Sequence, residues 1–240
     1  FELWQEAGWL QVAKMIQEDI DAGKALAKAP LPKWVFEGPV AEAGGVHTAQ
    51  GSWSPAQKKF VARRVLPVYE RQIFPEKLLG EDSLPDWKTA GTTIAETKAL
   101  RTWTLDGKVL IASIKNKMHA ISPEVMEGIV EAVDAAESDF DAMVIWSGDA
   151  PFSVGADLEA TMPAFVIGGA DAIESIEGEL QNMMLRIRYA QVPVVAAIHG
   201  MALGGGCELA VYSARRVAHM ESYIGLVEVG VGLIPGAGGL

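Results

Sequence analysis

The amino-acid sequence predicts an α/β fold from about residue 96 to residue 240, preceded by a mainly helical segment over residues 1–95. In the later part, short apolar runs of strand length alternate with longer stretches whose apolar residues recur every three or four positions. Because strands that alternate with helices need crossover connections, this order predicts a largely parallel sheet. Between residues 33 and 95 the chain instead has three scattered tryptophans and several prolines. We therefore expect a domain boundary near residue 95, with the earlier part serving as a helical tail and connecting segment.

The first 28 residues carry apolar side chains at helical spacing, and the predicted amphipathic helix ends before Pro30. The apolar positions are Leu3, Leu10, Met15, Ile16 and Ile20. A second helix is predicted to begin at Ser54-Pro55-Ala56-Gln57, because this order fits a capping box with proline at the first helical position.

A β-hairpin is predicted at the start of the α/β part. Two strand-like runs, 100–105 and 109–114, flank Asp106-Gly107, a dipeptide that favours a two-residue turn. Ser122-Pro123 then predicts the start of a helix whose apolar residues share one face. Those residues are Met126, Ile129, Val130 and Val133.

Three further elements lead to a glycine-rich turn. Residues 143–146 and 194–198 are apolar runs that predict two buried strands. Between them, residues 173–187 have the spacing of an amphipathic helix. The three glycines at 204–206 follow that strand and precede another helical stretch.

Composition excludes several function classes. Half of the residues are hydrophobic and 21% are charged, and no apolar run reaches the roughly 18 to 20 residues of a membrane span. The formal net charge of -11 argues against binding nucleic acid, which needs an excess of Lys and Arg. A single cysteine, Cys207, excludes an internal disulfide framework and a cysteine-cluster zinc site, and it predicts a cytoplasmic location. The four histidines lack metal-ligand spacing, so no metal is expected.

The chain begins at Phe1 rather than at methionine and stops at Leu240, directly after a glycine-rich turn. We therefore expect it to be a segment of a longer protein, truncated at both ends.

The glycine-rich turn at 204–206 is the first candidate site. A buried strand that runs into glycines and then a helix leaves unpaired backbone N–H groups at the helix start, where they can bind a negative oxygen. Glycine also lets a ligand approach the backbone closely. A tight strand-to-helix turn that only packs closely is equally compatible with the sequence.

Glu208 and Glu228 are the candidate acid–base carboxylates. Glu208 lies in the first turn of an otherwise apolar helix, and Glu228 lies in the apolar, glycine-punctuated run 224–230. A carboxylate in apolar surroundings is costly and tends to have a raised pKa, which suits acid–base catalysis. The helix dipole leaves a structural role for Glu208 open, and sequence spacing alone does not bring the two carboxylates together.

The loop 152–158, which follows the strand 143–146, is a third candidate, since one of its backbone N–H groups could supply a second donor to an oxyanion. Taken together, the segments 152–158, 198–210 and 225–239 resemble the three signature blocks of the enoyl-CoA hydratase/isomerase (crotonase) superfamily, in the same order. The resemblance covers about residues 98–240. It implies a spiral of repeated ββα turns, here incomplete at the carboxyl-terminal end, and assembly as a homo-oligomer.

The resemblance also implies roles for individual residues. The N–H groups of Ala156 and Gly205 match the pair that holds the thioester oxygen, while Glu208 and Glu228 match the two catalytic glutamates. Five further positions match those along the coenzyme A path: Met118, Ala120, Val154, Asp157 and Leu158.

Having both glutamates favours hydration of a 2-enoyl-CoA, with Glu208 acting mainly on water and Glu228 mainly as the proton donor. One alternative is isomerisation of a 3-enoyl-CoA, for which one carboxylate suffices. The other is a catalytically inactive segment with only a binding or assembly role.

The amino-terminal residues Phe1-Glu2-Leu3-Trp4, followed by a helix, resemble the last helix of a 3-hydroxyacyl-CoA dehydrogenase domain. This second resemblance implies a multifunctional parent enzyme of fatty-acid β-oxidation, with an NAD-dependent dehydrogenase first and a hydratase second. NAD belongs to that parent domain. We expect this segment to bind no cofactor and to act on an acyl-CoA thioester as its substrate.

Overall fold

The computed structural model describes residues 1–64, 66–74 and 86–239 of the 240-residue chain. The chain divides into two compact units, Phe1–Asp86 and Trp87–Leu240. Each unit has its own buried core and is described separately.

The first unit begins with two helices where the sequence predicted one. Helix α1 spans Glu2–Glu6 and helix α2 spans Trp9–Asp21. The predicted single helix is wrong because Gly8 has φ +101° and ψ 97°, a conformation outside the helical region that ends one helix before the next begins. The expectation of an end before Pro30 is confirmed.

Aromatic side chains hold the first unit together. Trp9, Ala13, Val35, Val40 and Val46 are buried and form its core, and the indole of Trp9 donates a hydrogen bond to the carbonyl oxygen of Val35 over 2.8 Å. Tryptophans that look scattered in the sequence pack around this core: Trp4, Trp34 and Trp53. Burial of these large apolar side chains is the main stabilising contribution available to so small a unit.

The rest of the first unit contains short elements. Helix α3 spans Pro39–Ala43, strands β1, β2 and β3 span His47–Thr48, Gly51–Ser54 and Lys59–Val61, and helix α4 spans Pro67–Glu70. The three strands form an antiparallel sheet in chain order.

The helix predicted to begin at Ser54 is wrong. Residues 55–58 form the turn between β2 and β3, and the N–H of Gln57 donates to both the carbonyl oxygen and the hydroxyl of Ser54. The same side-chain bond that can cap a helix closes a turn here, because Trp53 and Phe60 pair across the two strands with ring centroids 5.5 Å apart.

The second unit is built on a six-stranded sheet. Its strands and the two strands beside it are β4 (Thr92–Glu96), β5 (Leu100–Thr104), β6 (Val109–Ile114), β7 (Ala142–Ile145), β8 (Val194–Ile198), β9 (Met201–Leu203), β10 (Arg215–Ala218) and β11 (Tyr223–Gly225). The order across the main sheet is β10-β8-β7-β6-β5-β4, and β9 pairs with β11 in a separate parallel pair.

The predicted hairpin and the largely parallel sheet are both confirmed. Strands β5 and β6 pair antiparallel around Asp106-Gly107, whereas β6, β7, β8 and β10 run parallel to one another. The side chain of Asp106 accepts hydrogen bonds from the N–H groups of Lys108 and Val109, which fixes the turn.

Three helices cover the sheet and supply the site. Helix α5 spans Pro123–Asp139, and the predicted cap is confirmed, since Ser122 accepts a bond from the N–H of Val125. Helix α6 spans Leu158–Arg188 and is longer than predicted, with a non-helical break at Gly169. Helix α7 spans Gly205–Tyr212. Among the described residues, no helix is both long and apolar enough to cross a membrane.

Candidate active site

The turn from β9 into α7 brings the glycine-rich segment against the loop 152–158. Gly204 caps the helix with φ 52° and ψ −124°, which a residue with a side chain rarely adopts. A Cβ at Gly206 would lie only 2.4 Å from the carbonyl oxygen of Ser153, so the two backbones touch at a distance that excludes any side chain. Packing therefore requires glycine here, and the same contact places the two segments side by side.

Two backbone N–H groups are free at this junction, those of Ala156 and Gly205. A Cβ on Gly205 would lie 3.6 Å from the nitrogen of Ala156, so the two amides are neighbours. Within the described parts of the chain, neither N–H donates a hydrogen bond, because Gly205 is the first residue of α7 and Ala156 is a bridge residue whose neighbours make the bonds. The structure thus brings together the two predicted oxyanion donors.

The loop 152–158 is held by bonds that the sequence did not predict. The N–H of Ile121 donates to Gly155 over 2.8 Å, and the N–H of Asp157 donates to Ile121 over 3.0 Å. The buried hydroxyl of Ser153 donates to the carbonyl oxygen of His119 over 2.7 Å and accepts from the N–H of Gly155. Ser153 was missed as a site residue, although a serine beside Gly155 is a visible signal for local bonding to the backbone.

Glu208 is almost completely buried, with 2% of its surface exposed. Its Oε1 accepts a hydrogen bond from the N–H of Gly239 over 2.8 Å. Burial raises the pKa of Glu208, the bonds from Gly239 and Gly238 lower it in part, and the negative charge of Glu228 raises it again. A carboxylate in this environment is a stronger base than one in water.

Glu228 begins the short 3-10 helix Glu228–Val231 and points toward the glycine turn. Its Oε1 lies 3.1 Å from the position that a Cβ on Gly204 would take. Its Oε2 is buried without a hydrogen-bond partner among the described residues. The N–H of Glu208 donates to the carbonyl oxygen of Gly204 over 3.0 Å, so both predicted carboxylates belong to residues that contact this one glycine.

A third carboxylate, Glu177 of α6, faces the same site and was missed from the sequence. Its Oε2 is also buried without a partner among the described residues. Burial raises the pKa of Glu177, and the charge of Glu228 raises it further. The signal was present, because Glu177 lies within the apolar spacing of α6, four residues after Ile173 and three before Leu180.

The five positions predicted to follow the coenzyme A path line one cavity of about 840 Å³, together with Ala156. Those positions are Met118, Ala120, Val154, Asp157 and Leu158. Lys98 and Lys117 also line it. The side chain of Asp157 caps α6 by accepting a hydrogen bond from the N–H of Ala160 over 3.1 Å. The carboxylate of Asp157 therefore has a structural role at the start of this helix.

Cys207 lies beside Glu208 but is not suited to act as a nucleophile. Cys207 is buried, and burial together with the charges of Glu208 and Glu228 raises the pKa of its thiol, which disfavours a thiolate nucleophile. Across residues 1–64, 66–74 and 86–239, no group of three or more His, Cys, Asp or Glu side chains is placed to hold a metal ion.

Comparison with known proteins identifies a family and several relatives. A family model described as enoyl-CoA hydratase/isomerase matches residues 107–240. The peroxisomal bifunctional enzyme of Cavia porcellus is 41% identical over 124 residues, which are 51% of this chain and 16% of that protein. The crotonyl-CoA hydratase of Syntrophomonas wolfei is 38% identical over 136 residues, which are 55% of this chain and 50% of that enzyme.

Solved structures share the fold. The crystal structure of an enoyl-CoA hydratase from Bacillus anthracis superposes with a TM-score of 0.53 at 23% identity, covering 58% of this chain and 55% of that one. The predicted crotonase-like α/β fold is thereby confirmed. The chain spans less than a fifth of the length of the relatives named as trifunctional or bifunctional enzymes that it matches.

Proposed function

This chain belongs to the enoyl-CoA hydratase/isomerase family, and on that premise we propose that it adds water to a 2-enoyl-CoA, giving a 3-hydroxyacyl-CoA by syn addition. The observation that carries the proposal is the presence of two carboxylates, Glu208 and Glu228, in one site beside the free N–H groups of Ala156 and Gly205. Hydration uses all four groups, whereas isomerisation needs only one carboxylate.

The two N–H groups act on the thioester carbonyl oxygen. When water attacks C3, electrons move toward that oxygen and an enolate forms, so donors already fixed in place stabilise the transition state more than the substrate. Removing one such donor typically lowers kcat by about 10²–10³-fold. The N–H of Ala156 is fixed by the bridge to Ile121, and that of Gly205 is fixed by the start of α7.

The carboxylates move the protons. Glu208, made more basic by burial, takes a proton from the attacking water, whose oxygen bonds to C3. Glu228 starts this step as the neutral acid and delivers its proton to C2, where the enolate electrons form the new C–H bond. Glu208 ends the step protonated, and transfer of that proton to Glu228 restores both groups for the next turnover. Glu228 lies against Gly204 and Glu208 lies in the first turn of α7, and this shared location supports addition of both parts of water to one face of the double bond.

The cavity of about 840 Å³ supports a coenzyme A thioester as the substrate. It opens from Ala156 and is lined by Met118, Val154 and Leu158, which suit the apolar part of a pantetheine chain. Lys98 and Lys117 are the basic residues of its lining and could contact phosphate groups, although the acidic residues Glu124, Asp157 and Glu159 line the same cavity.

The proposed activity is tested with the full-length protein and crotonyl-CoA by following the loss of the enoyl thioester absorbance. We expect Glu208→Gln and Glu228→Gln each to lower kcat by at least about 10²-fold, and Glu179→Gln, an exposed carboxylate of α6, to have no effect. Full turnover by Glu228→Gln contradicts hydration. Retained isomerisation of a 3-enoyl-CoA by Glu208→Gln favours the isomerase, and no acyl-CoA binding in calorimetry supports an assembly role.

The parent protein is proposed to carry NAD-dependent 3-hydroxyacyl-CoA dehydrogenase activity as well, which rests on the amino-terminal resemblance and on relatives named as bifunctional enzymes. Among the described residues, the run from Gly230 to Gly232 does not have the geometry of a dinucleotide-binding turn, because it ends a 3-10 helix and does not join a strand to an α-helix. Assembly as a homo-oligomer and a cytoplasmic location also stay proposals, supported by the family resemblance and the single cysteine.

A further inference from the structure

Glu177 occupies a position that hydration, as proposed above, does not use. It lies on α6, while Glu208 lies on α7 and Glu228 on the following 3-10 helix, so three separate elements each contribute one carboxylate. Its Oε2 is buried and has no hydrogen-bond partner among the described residues. A buried carboxylate oxygen without a donor costs free energy, so packing alone does not explain it.

Glu177 also touches the loop that holds Glu208. A Cβ at Gly236 would lie 2.7 Å from Oε2 of Glu177, which places the carboxylate directly against that glycine. The side chain of Gln181, one turn further along α6, donates to the carbonyl oxygen of Gly236 over 2.7 Å. Three residues later, the N–H of Gly239 donates to Glu208, so α6 and Glu208 contact the same loop at positions three residues apart.

We propose that Glu177 is a positioning residue of the hydration site that acts on Glu208 through its negative charge, so that deprotonation of water depends on three carboxyl groups instead of two. The inference rests on the proposed hydratase function.

The direction of the effect follows from electrostatics. Burial is the largest cause of the raised pKa of Glu208, the charge of Glu228 follows, and the charge of Glu177 adds to both. The titratable groups that face Glu208 from the neighbouring described elements are Glu177 of α6, Glu228 of the 3-10 helix and Cys207 of α7. A base with a higher pKa removes a proton from water more readily as long as it is ionised, so Glu177 strengthens Glu208 as a base.

The test is the pH profile of kcat/KM for Glu177→Gln in the full-length protein, with crotonyl-CoA as substrate. Because the charge of Glu177 raises the pKa of Glu208, its removal moves the acid limb of the profile to lower pH. At a pH one unit below the wild-type limb, kcat/KM as a fraction of its own plateau should rise on the order of threefold. The plateau kcat should fall, since Glu208 becomes a weaker base, while KM stays unchanged.

Matched variants separate this effect from a structural role. Glu179→Gln removes an exposed charge from the same helix and should leave the acid limb in place. Glu177→Met removes the charge with an apolar side chain of similar length, so it should shift the limb in the same direction even if Glu177→Gln folds poorly. A uniform loss of activity in both Glu177 variants, with an unmoved acid limb, would overturn the proposal.

A readout without turnover distinguishes failure of this inference from failure of the proposed function. Infrared difference spectra between proteins with and without Glu208→Gln report the pH at which the carboxyl group of Glu208 protonates. That pH should fall in the Glu177→Gln background. If the wild type does not hydrate crotonyl-CoA but Glu177→Gln lowers this pH, the hydratase function is contradicted and the coupling between Glu177 and Glu208 is supported. If Glu177→Gln leaves this pH unchanged, the coupling is contradicted whatever the activity.

Discussion

The N–H of Gly239 donates a hydrogen bond to Oε1 of Glu208 over 2.8 Å, across 31 positions of the chain. The bond fixes one oxygen of the buried carboxylate and leaves the other available for chemistry. It also makes the loop around Gly239 part of the site, because the orientation of the base depends on a backbone group of that loop.

Gly239→Ala should therefore damage catalysis by moving the loop. An added Cβ would lie 2.6 Å from the Cβ of Pro235 and 3.1 Å from Oε1 of Glu208, so the loop must shift and the bond to Glu208 lengthens. We expect kcat for hydration to fall by roughly tenfold or more, as for a lost charge-assisted hydrogen bond. Gly230→Ala is the matched control, because its Cβ meets nothing within 4 Å. Equal rates for the two variants contradict the prediction.

Gly206→Ala should affect both stability and activity. Its Cβ would lie 2.4 Å from the carbonyl oxygen and 2.9 Å from the carbonyl carbon of Ser153, and backbone atoms cannot rotate away. Overpacking of this kind typically costs about 1–3 kcal/mol of unfolding free energy. Moving the loop 152–158 also displaces the N–H of Ala156, so kcat should fall by about 10²-fold. Urea unfolding and initial hydration rates measure the two effects.

Gly178→Ala should raise the free energy of unfolding, and it serves as the control for Gly206→Ala. Gly178 lies in α6, and its Cβ meets nothing within 4 Å. Alanine in an open helical position stabilises by about 0.5–1 kcal/mol relative to glycine. A similar destabilisation of both variants contradicts the close approach of α7 to Ser153.

Local chemistry made the hairpin and the main strands predictable. Asp106-Gly107 needs only its own side chain and backbone to form its turn, and the strand 194–198 was predicted with the bounds that it has in the structure. Local chemistry also produced the error at Ser54, since one hydroxyl-to-amide bond serves a helix cap and a turn equally well. The pairing of Trp53 with Phe60 across two strands decides between them, and that contact is not local.

The candidate site was predictable only in part, because its geometry also depends on contacts between residues that are distant in the sequence. Glu208 and Glu228 stand out as charges within apolar runs, and the resemblance to a family assigns them to one reaction. Their proximity depends on the parallel pairing of β9 with β11, which no spacing in the sequence reveals. Glu177 was missed because it lies 31 positions before Glu208 on a different helix, and no spacing in the sequence reveals that α6 packs against the loop at Gly236.

Glu137 should stabilise the second unit in a pH-dependent way. The hydrogen bonds from Arg186 and from the N–H of Gln191 lower the pKa of Glu137 to about 2, and they tie α5 to the end of α6. A carboxyl group whose pKa is lower in the folded state contributes stability above its unfolded pKa and loses it as pH falls through the folded pKa. Glu137→Gln should therefore lower the urea midpoint at pH 7.

The difference between Glu137→Gln and the wild type should shrink as pH falls from about 5 toward 2, because the wild-type carboxylate becomes protonated over that range. Urea unfolding at pH 7, 5 and 3 measures it. Glu131→Gln, an exposed position of α5, provides the comparison and should show no such dependence. A difference that stays constant with pH contradicts the role of the Arg186 contact.

Cys207 provides a chemical probe of the charge within the site, because it is the single cysteine of the chain. The residue is 7% exposed, and burial is the largest cause of its raised thiol pKa, followed by the charges of Glu208 and Glu228. Only the thiolate reacts with iodoacetamide, so alkylation of the folded protein at pH 8 should be slow and should accelerate strongly in urea.

Glu208→Gln removes one of the charges and lowers the thiol pKa, so alkylation of that folded variant should be faster than that of the wild type. Glu221→Gln removes an exposed charge and should leave the rate unchanged. Equal rates for the wild type and Glu208→Gln would mean that access of the reagent alone controls the reaction, and that the charge of Glu208 does not reach the neighbouring thiol.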